Sequence, residues 1–574
     1  MYFRMVTEMS YLKKSRDRGS DAVFDVSSNS TFLAIRIFLS NLLVKRDCKV
    51  RSQRTKPGKR QQTVYYCDTC PDKPRMHLGD SPTIHITGAF SLKRAMIAPW
   101  DIAKILIVTW LLRAHLMIAL GDIDDNEVRM CDLSNALIKE IESYGSLVEN
   151  IINEATSGSF KGTTWQELAI FVDKFGPRLT GTSVLEGSID YVLNKSIALG
   201  LENVHGEELK VPHWVRGAES ATLLKPRHKN IAILGLGYSI GTPKEGITGK
   251  AIVVNSFTEL EKRRAEVPGK IVVYNQKYVS YGETVEYRVA GATKASKYGA
   301  IAALIKSVTP YSLYTPHTGM QRYGENVTKI PAACITVEDA VFLKRLSDRG
   351  EDIEINLKME ARNLPNTKSR NVIAEITGSQ NAEKVVVISG HIDSWDVGEG
   401  AMDDGGGAFI SWKALQLLKH LNYRPRRTIR MIMWTAEELG IVGARHYIKF
   451  HKPEERNLQF VMESDMGTFT PLGLEFTGTE KVKCILEKVM SLLAPMGDMR
   501  LRSPSAGPDI EGWVNAGVPG GSLWTQNDKY FYYHHSNADS MLVEDPKALD
   551  MGTALFAAVS YVLADLSIDL PRHN

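Results

Sequence analysis

From residue 371 onward the chain alternates short β-branched runs with stretches whose apolar residues recur at helical spacing, and that alternation leaves few architectures open. "KVVVISG" (384–390) reads as a fully buried strand and "GAFISWKALQLLKHL" (407–421) as the helix that follows it. "TIRMIMWT" (428–435) and "LGIVGARHYIKFHK" (439–452) repeat the pair, and "LQFVMES" (458–464) leads to a helix near 480–494. "GGSLW" (520–524) and "PKALDMGTALFAAVSYVLADL" (546–566) supply a last strand and helix. Strands apolar on both faces need cover on both, so the segment predicts an α/β fold: a doubly wound, mainly parallel sheet with helices on either side. Ligands of such sheets sit at the carboxyl ends of the strands.

Those ends carry the chain's chemistry. The stretch "HIDSWDVGEGAMDDGGG" (391–407) follows the first strand and packs one histidine and five carboxylates into a loop. Glu437 and Glu438 follow the second strand, Asp465 the third, and His534 and His535 come a short way beyond "GGSLW". Gathered at one edge, unpaired carboxylates would repel one another and lose several kcal/mol per buried ion, a sign that divalent cations reverse. Imidazole mixed with carboxylate, including one carboxylate free to bridge, is the set expected of a two-metal hydrolytic centre. Zinc is the default occupant, and cobalt or manganese suits the same donors.

"HIDSWDVGEGAMDDGGGAFISW", "WTAEELG", "MESDMGTF" and "YYHHSNADSM" resemble the motif set of the M28 family of di-zinc peptidases, and the similarity runs in consistent order over about residues 127–572. The resemblance implies a fold of the zinc-dependent exopeptidase type with two zinc ions per subunit. His391, Asp403 and Asp465 would hold one ion and Asp403, Glu438 and His535 the other, with Asp403 bridging. It assigns Glu437 as general base and Asp393 as the carboxylate that orients the His391 imidazole. Asp404 would join Asp403 through a peptide bond that is often cis in this family, and the glycines at 405–407 would permit close backbone approach before the helix. Several relatives place a tyrosine before the last ligand histidine; here His534 holds that position and is the expected oxyanion donor. The activity implied is hydrolysis of short peptides, above all dipeptides with free termini, by a homodimer. Water activated between the ions would pass its proton through Glu437 to the leaving amine. "GPDIEGW", with Asp509, and "WTQND" are expected to line the pocket.

Ahead of this domain, residues 131–156 and 163–176 show helical spacing and "GPRLTGT" a turn, and residues 122–210 are assigned to the N-terminal part of the catalytic domain. Between 211 and 370 the character changes to short strands ("KNIAILGLG", "GKAIVVNS", "GKIVVYN", "IAALIKS", "IPAACITVEDA"), which reads as a mainly β insertion resembling the protease-associated domain of several M28 peptidases. Within it "GYSIG" (237–241) satisfies the nucleophile pattern of serine hydrolases through Ser239, yet Thr242-Pro243 follows where that motif requires a helix.

The first 95 residues carry 18 lysines and arginines against 8 acids, leaving 52 against 58 thereafter, so the folded part is mildly acidic and no nucleic-acid partner is expected. They read as a basic extension outside the mature protein, with a lone Cys67-x-x-Cys70 that is a weak zinc or redox signal. Residues 96–121 resemble a secretory signal peptide beginning at Met96, with Ala119-Leu120-Gly121 at cleavage spacing and Arg113 splitting an apolar run too short to span a bilayer. A signal-anchor helix with a basic cytoplasmic arm is the alternative. Entry into the secretory pathway would place the protein outside the cell or in the lysosome and would open two glycosylation sequons, Asn194 and Asn326. Cys131, Cys334 and Cys484 remain, an odd count that predicts a free thiol and a fold held by its core rather than by disulfides. Three rival functions stand beside the di-zinc reading: a non-catalytic receptor-like ectodomain of the same superfamily, a serine hydrolase using Ser239, and a single-zinc cyclase on the same fold.

Overall fold

The β-branched runs of the C-terminal half build an eight-stranded sheet. The computed structural model describes residues 131–572, except 132 and 506, together with four short strands between residues 50 and 87. In spatial order the sheet runs Arg500–Arg502, Pro471–Thr477, Gly520–Thr525, Leu458–Glu463, Asn381–His391, Arg427–Trp434, Arg362–Ile376 and Glu202–Val215. The four strands from Gly520–Thr525 to Arg427–Trp434 are mutually parallel. Register aligns their ends: His391 lies opposite Trp434, and Ser389 opposite Glu463.

Alternate side chains of these strands face different layers. Val386, Ile388, Met431 and Met462 pack beneath the helices Gly406–His420 and Pro546–Asp565, whereas Val385, Val387, Ile432 and Val461 meet the helix Val442–Phe450 and Trp513. Both faces are therefore dry, which is why the strands lack polar alternation. Pro546–Asp565 is long and apolar enough to cross a membrane, but it is a core helix, buried along almost its whole length. The helix expected to start at 439 begins at Val442, because Gly440 and Ile441 adopt positive φ (118° and 60°) in the turn that carries the two glutamates.

The insertion has different bounds from those expected. Glu202–Val215 and Arg362–Ile376 are long antiparallel arms paired from Val215↔Arg362 to Glu202↔Glu375, and both belong to the catalytic sheet. The inserted segment thus occupies 216–361 rather than 211–370. The arms escaped the sequence reading because Glu202–Val215, at the sheet edge, and the first half of Arg362–Ile376 are largely exposed and carry a weaker apolar signal than the buried runs.

The insertion is also α/β rather than mainly β. Four parallel strands, Ile247–Val254, Ile271–Tyr274, Ala302–Lys306 and Ala332–Ile335, form the middle of a second eight-stranded sheet. Tyr281–Ser296 covers one face of it and Val337–Asp348 the other. Ser280 and Thr336 cap these helices by accepting from the N–H groups of Glu283 and Asp339, so "IPAACITVEDA" is strand only as far as Ile335.

Two further expectations change. Cys131 and Cys484 form a disulfide, with Cys334 free and buried, so a cross-link ties the segment before helix Asn135–Ser143 to helix Glu480–Ser491. Partners 353 positions apart leave no local mark in a sequence. Within 1–95, the segment assigned to a basic extension, Val50–Gln53, Val64–Cys67, Arg75–Leu78 and Ile84–Thr87 form an antiparallel sheet in chain order. The signal-like segment 96–121, the start at Met96 and Cys70 of the Cys67-x-x-Cys70 motif lie outside the described residues.

Candidate metal centre

Three adjacent parallel strands deliver the site residues to one edge. His391 is the last residue of its strand, Glu437 and Glu438 occupy the turn after Trp434, and Asp465 stands two residues past Glu463. His534 and His535 arrive on the loop after the short helix Tyr530–Tyr533. His391 Nε2 lies 3.4 Å from Asp403 Oδ1, 3.4 Å from Asp465 Oδ1 and 4.0 Å from Glu437 Oε2. His535 Nε2 lies 3.0 Å from Glu438 Oε2 and 3.3 Å from Asp403 Oδ2. The two oxygens of Asp403 therefore face two separate histidines.

The loop 391–407 is held by buried partners. Arg178 donates to the carbonyls of Gly176, Ile392, Glu399 and Gly400. Asp539 accepts from the N–H groups of Ala401, Met402 and Asp403. Asp404 Oδ2 accepts from the N–H of His391 at 2.9 Å, and the Asp403–Asp404 peptide is cis. No side chain fits at position 407, where a Cβ would stand 2.0 Å from the Ser464 carbonyl and 2.2 Å from Asp404 Oδ1. Sequence reasoning had flagged the turn containing Arg178 and the motif containing Asp539 without giving either residue a role; a buried arginine's target carbonyls are not encoded locally.

One expected role shifts from side chain to main chain. His391 Nδ1 donates to the carbonyl of Asp393 at 2.9 Å, while the Asp393 carboxylate is 3.7 Å away. That carboxylate instead accepts from Thr180 Oγ1 at 2.8 Å and from the N–H of Glu437 at 3.0 Å, so it ties the histidine loop to the glutamate turn. Either way His391 Nδ1 is the protonated nitrogen and Nε2 is left as a lone pair facing carboxylates.

The electrostatics are those of buried carboxylates crowded around three histidines. Burial, reinforced by Asp465, Glu438 and Asp393, holds Glu437 well above the ordinary carboxylate range. Burial and Asp403 push Glu438 up to about 7, and burial with Asp465 carries the neighbouring Glu463 to about 8. Burial opposes charge on His535, but Glu438 and Asp403 outweigh it and raise the imidazole to about 9. Buried, and next to His535 and Arg288, His534 is held well below the usual value and is neutral. His391 Nε2, Glu438 Oε1 and Asp404 Oδ1 are buried without a hydrogen-bond partner, as are both oxygens of Asp509. Three compact donor groups fall here: Asp403 with both terminal histidines, His391 with Asp403 and Glu438, and His391 with Asp404 and Asp465. Orphaned nitrogen and oxygen donors converging at this spacing fit divalent cations, which no hydrogen-bond rearrangement among acceptors could replace.

His534 Nε2 is 3.5 Å from Asp403 Oδ2, and its ring stacks on that of His535 at 3.6 Å. It also meets Tyr281 and Tyr530 edge-on or tilted, and Tyr530 is a buried site neighbour the sequence reading missed. Ser239 is fully buried; its hydroxyl donates to the Ile240 carbonyl and accepts from the N–H of Ala332, so it is a packed turn residue. Asn194 lies exposed on the helix Ser183–Ala198, and Asn326 exposed in a loop.

A fold of this topology with histidine and carboxylate donors at the ends of parallel strands defines a metallohydrolase of the exopeptidase type. The sequence profile of peptidase family M28 matches residues 371–560. Carboxypeptidase Q of Homo sapiens is 54% identical over 434 residues, which is 76% of this chain and 92% of that protein. A solved M28 peptidase precursor from Shewanella amazonensis is 31% identical, covers 76% of this chain and all of its own, and superposes with a TM-score of 0.71. The fold is shared with BSAP, a zinc aminopeptidase from Bacillus subtilis, at 20% identity and a TM-score of 0.55 over 72% of this chain and 99% of that one. The chain belongs to peptidase family M28 and is a metallo-exopeptidase.

Proposed function

We propose that this chain hydrolyses short peptides, most of all dipeptides with free termini, with two zinc ions at the carboxyl edge of its first sheet. The observation that carries this reading is the position of Asp403, whose two oxygens face His391 and His535 at 3.4 and 3.3 Å. His391, Asp403 and Asp465 would hold one ion and Asp403, Glu438 and His535 the other. His535 is preferred over His534 as ligand because its Nε2 also meets Glu438. When bound, the ions would supply Lewis acidity and bring a shared water toward neutral pKa. Glu437, poised beside His391 and only partly exposed, takes the proton of the attacking water and delivers it to the leaving amine. Neutral His534 donates Nε2–H to the developing oxyanion.

The inserted domain is read as a protease-associated module limiting access to the cleft. A homodimer, glycans at Asn194 and Asn326, and passage through the secretory pathway to the medium or the lysosome complete the proposal.

Purified protein, dialysed against a strong chelator, should lose hydrolysis of a panel of unblocked dipeptides and regain it with zinc, while a serine-reactive inhibitor leaves the rate unchanged. Activity that survives complete metal removal would sink the reading. All ligand positions and the base are present, which speaks against a receptor-like ectodomain.

A further inference from the structure

The two metal positions differ in what holds them. The imidazole of His391 is oriented by the Asp393 carbonyl, its N–H by Asp404, and Asp393 by Thr180, all outside the inserted segment 216–361. His535 depends on that segment. Its carbonyl accepts from the N–H of Thr318 at 2.8 Å, and its Nδ1 donates to the Thr318 carbonyl at 3.2 Å. Arg288 Nη1 donates to the same carbonyl at 3.1 Å and lies 3.3 Å from His535 Nδ1; as both nitrogens are donors, they meet at Thr318 rather than pair. One residue earlier, His317 Nδ1 donates to the His534 carbonyl at 2.6 Å. On the other flank Tyr238 hydroxyl donates to the carbonyl of Leu439, next to Glu438, at 2.6 Å.

His535 needs this support. Its φ of 61° lies in the left-handed region, a conformation that persists in a non-glycine residue only when neighbours over-determine it. The Thr318 carbonyl also fixes the ring: with a proton held on Nδ1 by that carbonyl, Nε2 is the nitrogen turned toward Glu438 and Asp403 and the one free to ligate.

We propose that the inserted sheet is a structural half of the Glu438/His535 metal position, whereas toward the His391/Asp465 position it hydrogen-bonds the ligand loop only at Asp396, through Arg216, and bonds none of the groups that orient His391, so that the two ions bind and leave separately and His317 acts as a positioning residue for the weaker one. This rests on the two-ion reading of the centre. A partner that orients a metal-bound histidine typically contributes 10–100-fold to metal affinity, and His317 acts one bond further out through the backbone of the ligand loop.

The experiment is a zinc titration of the metal-free full chain by calorimetry, with metal counted by mass spectrometry after desalting and cobalt absorption as a second readout. Wild type should bind two ions. His317→Leu should keep one ion at wild-type affinity and need on the order of tenfold or more free zinc for the second. His317→Asn, which keeps a donor near the Nδ1 position, should restore the wild-type curve. Arg288→Leu, which loosens Thr318, should behave as His317→Leu and carries the test if the latter fails to fold. Two ions at unchanged affinity in the folded variants, or both ions weakened together, would overturn the inference while leaving the two-ion reading intact. A wild type that binds a single ion overturns both.

Discussion

Glu437 and Glu438 are neighbours in sequence with divergent surroundings. Ala436 before them has a φ of 59°, and the turn sends Glu438 against His535 while Glu437 stands on the His391 side, its N–H bonded to Asp393. Glu437→Gln should lower kcat by about 10²–10⁴-fold, the usual scale of a general base, with zinc content unchanged by mass spectrometry. Joint loss of zinc and turnover would make Glu437 a ligand instead. Away from the centre, Glu544 is buried with Thr468 as its one hydroxyl donor and Oε1 unpartnered, and burial together with Asp539 and Asp545 raises it to about 8. Between the ordinary value near 4.5 and about 8 the folded chain keeps a proton that the unfolded chain has released, so Glu544 costs stability progressively as pH rises through that window. Glu544→Gln should therefore flatten the fall of Tm between pH 5 and 8 and, at pH 8, raise the unfolding free energy by on the order of a few kcal/mol at most. An unchanged pH profile would show that Glu544 ionises normally.

At the scale of elements, the loop 391–407 and the helix it leads into are set by close approach as much as by ligand chemistry. Glycine at 407 lets the start of helix Gly406–His420 lie against Ser464 and Asp404, and at 390 lets the strand end touch Ala408. Gly407→Ala should cost more than about 3 kcal/mol by overpacking, seen as a lower denaturant midpoint, and should weaken zinc retention because Asp404 and Ser464 move together. Arg178 plays the complementary part by supplying donors to three loop carbonyls and to that of Gly176 in its own turn from a fully buried guanidinium, which burial lowers to about 10. Arg178→Met leaves those carbonyls without donors and should destabilise by about 3–5 kcal/mol in equilibrium unfolding; Arg178→Lys should recover only part, since an ammonium lacks the planar spread of donors.

Across the whole molecule, the Cys131–Cys484 disulfide links positions 353 apart and closes a loop that holds the whole second sheet and all of the first but Arg500–Arg502 and Gly520–Thr525. In the loop-entropy view a span of this length is worth up to about 6 kcal/mol, and removal of native disulfides typically costs about 2–5 kcal/mol, so Cys131→Ser should unfold at lower denaturant, and reductant should bring wild type down to the same midpoint. Coincident curves for oxidised wild type and variant would mean the bridge constrains nothing.

How much of this was readable beforehand follows from the range of each signal. The parallel strands, their covering helices and the ligand types at the strand ends were legible because burial on both faces and 3.6-residue periodicity are written within ten or fifteen consecutive residues. Ser239 was also rightly set aside on local grounds, since a proline stands where a nucleophile turn needs a helix. The arms 202–215 and 362–376, the disulfide, Arg178 and Asp539 were not legible, because each takes its meaning from a partner that only chain closure brings near. By itself the sequence determined the α/β architecture and a histidine and carboxylate chemistry at one sheet edge, because those depend on local burial patterns and residue identity. The tertiary structure alone decided that Asp403 stands between two histidines and that His317 bonds the carbonyl of His534, 217 residues further along the chain, in the loop carrying the last of them, because such meetings arise from packing across the fold.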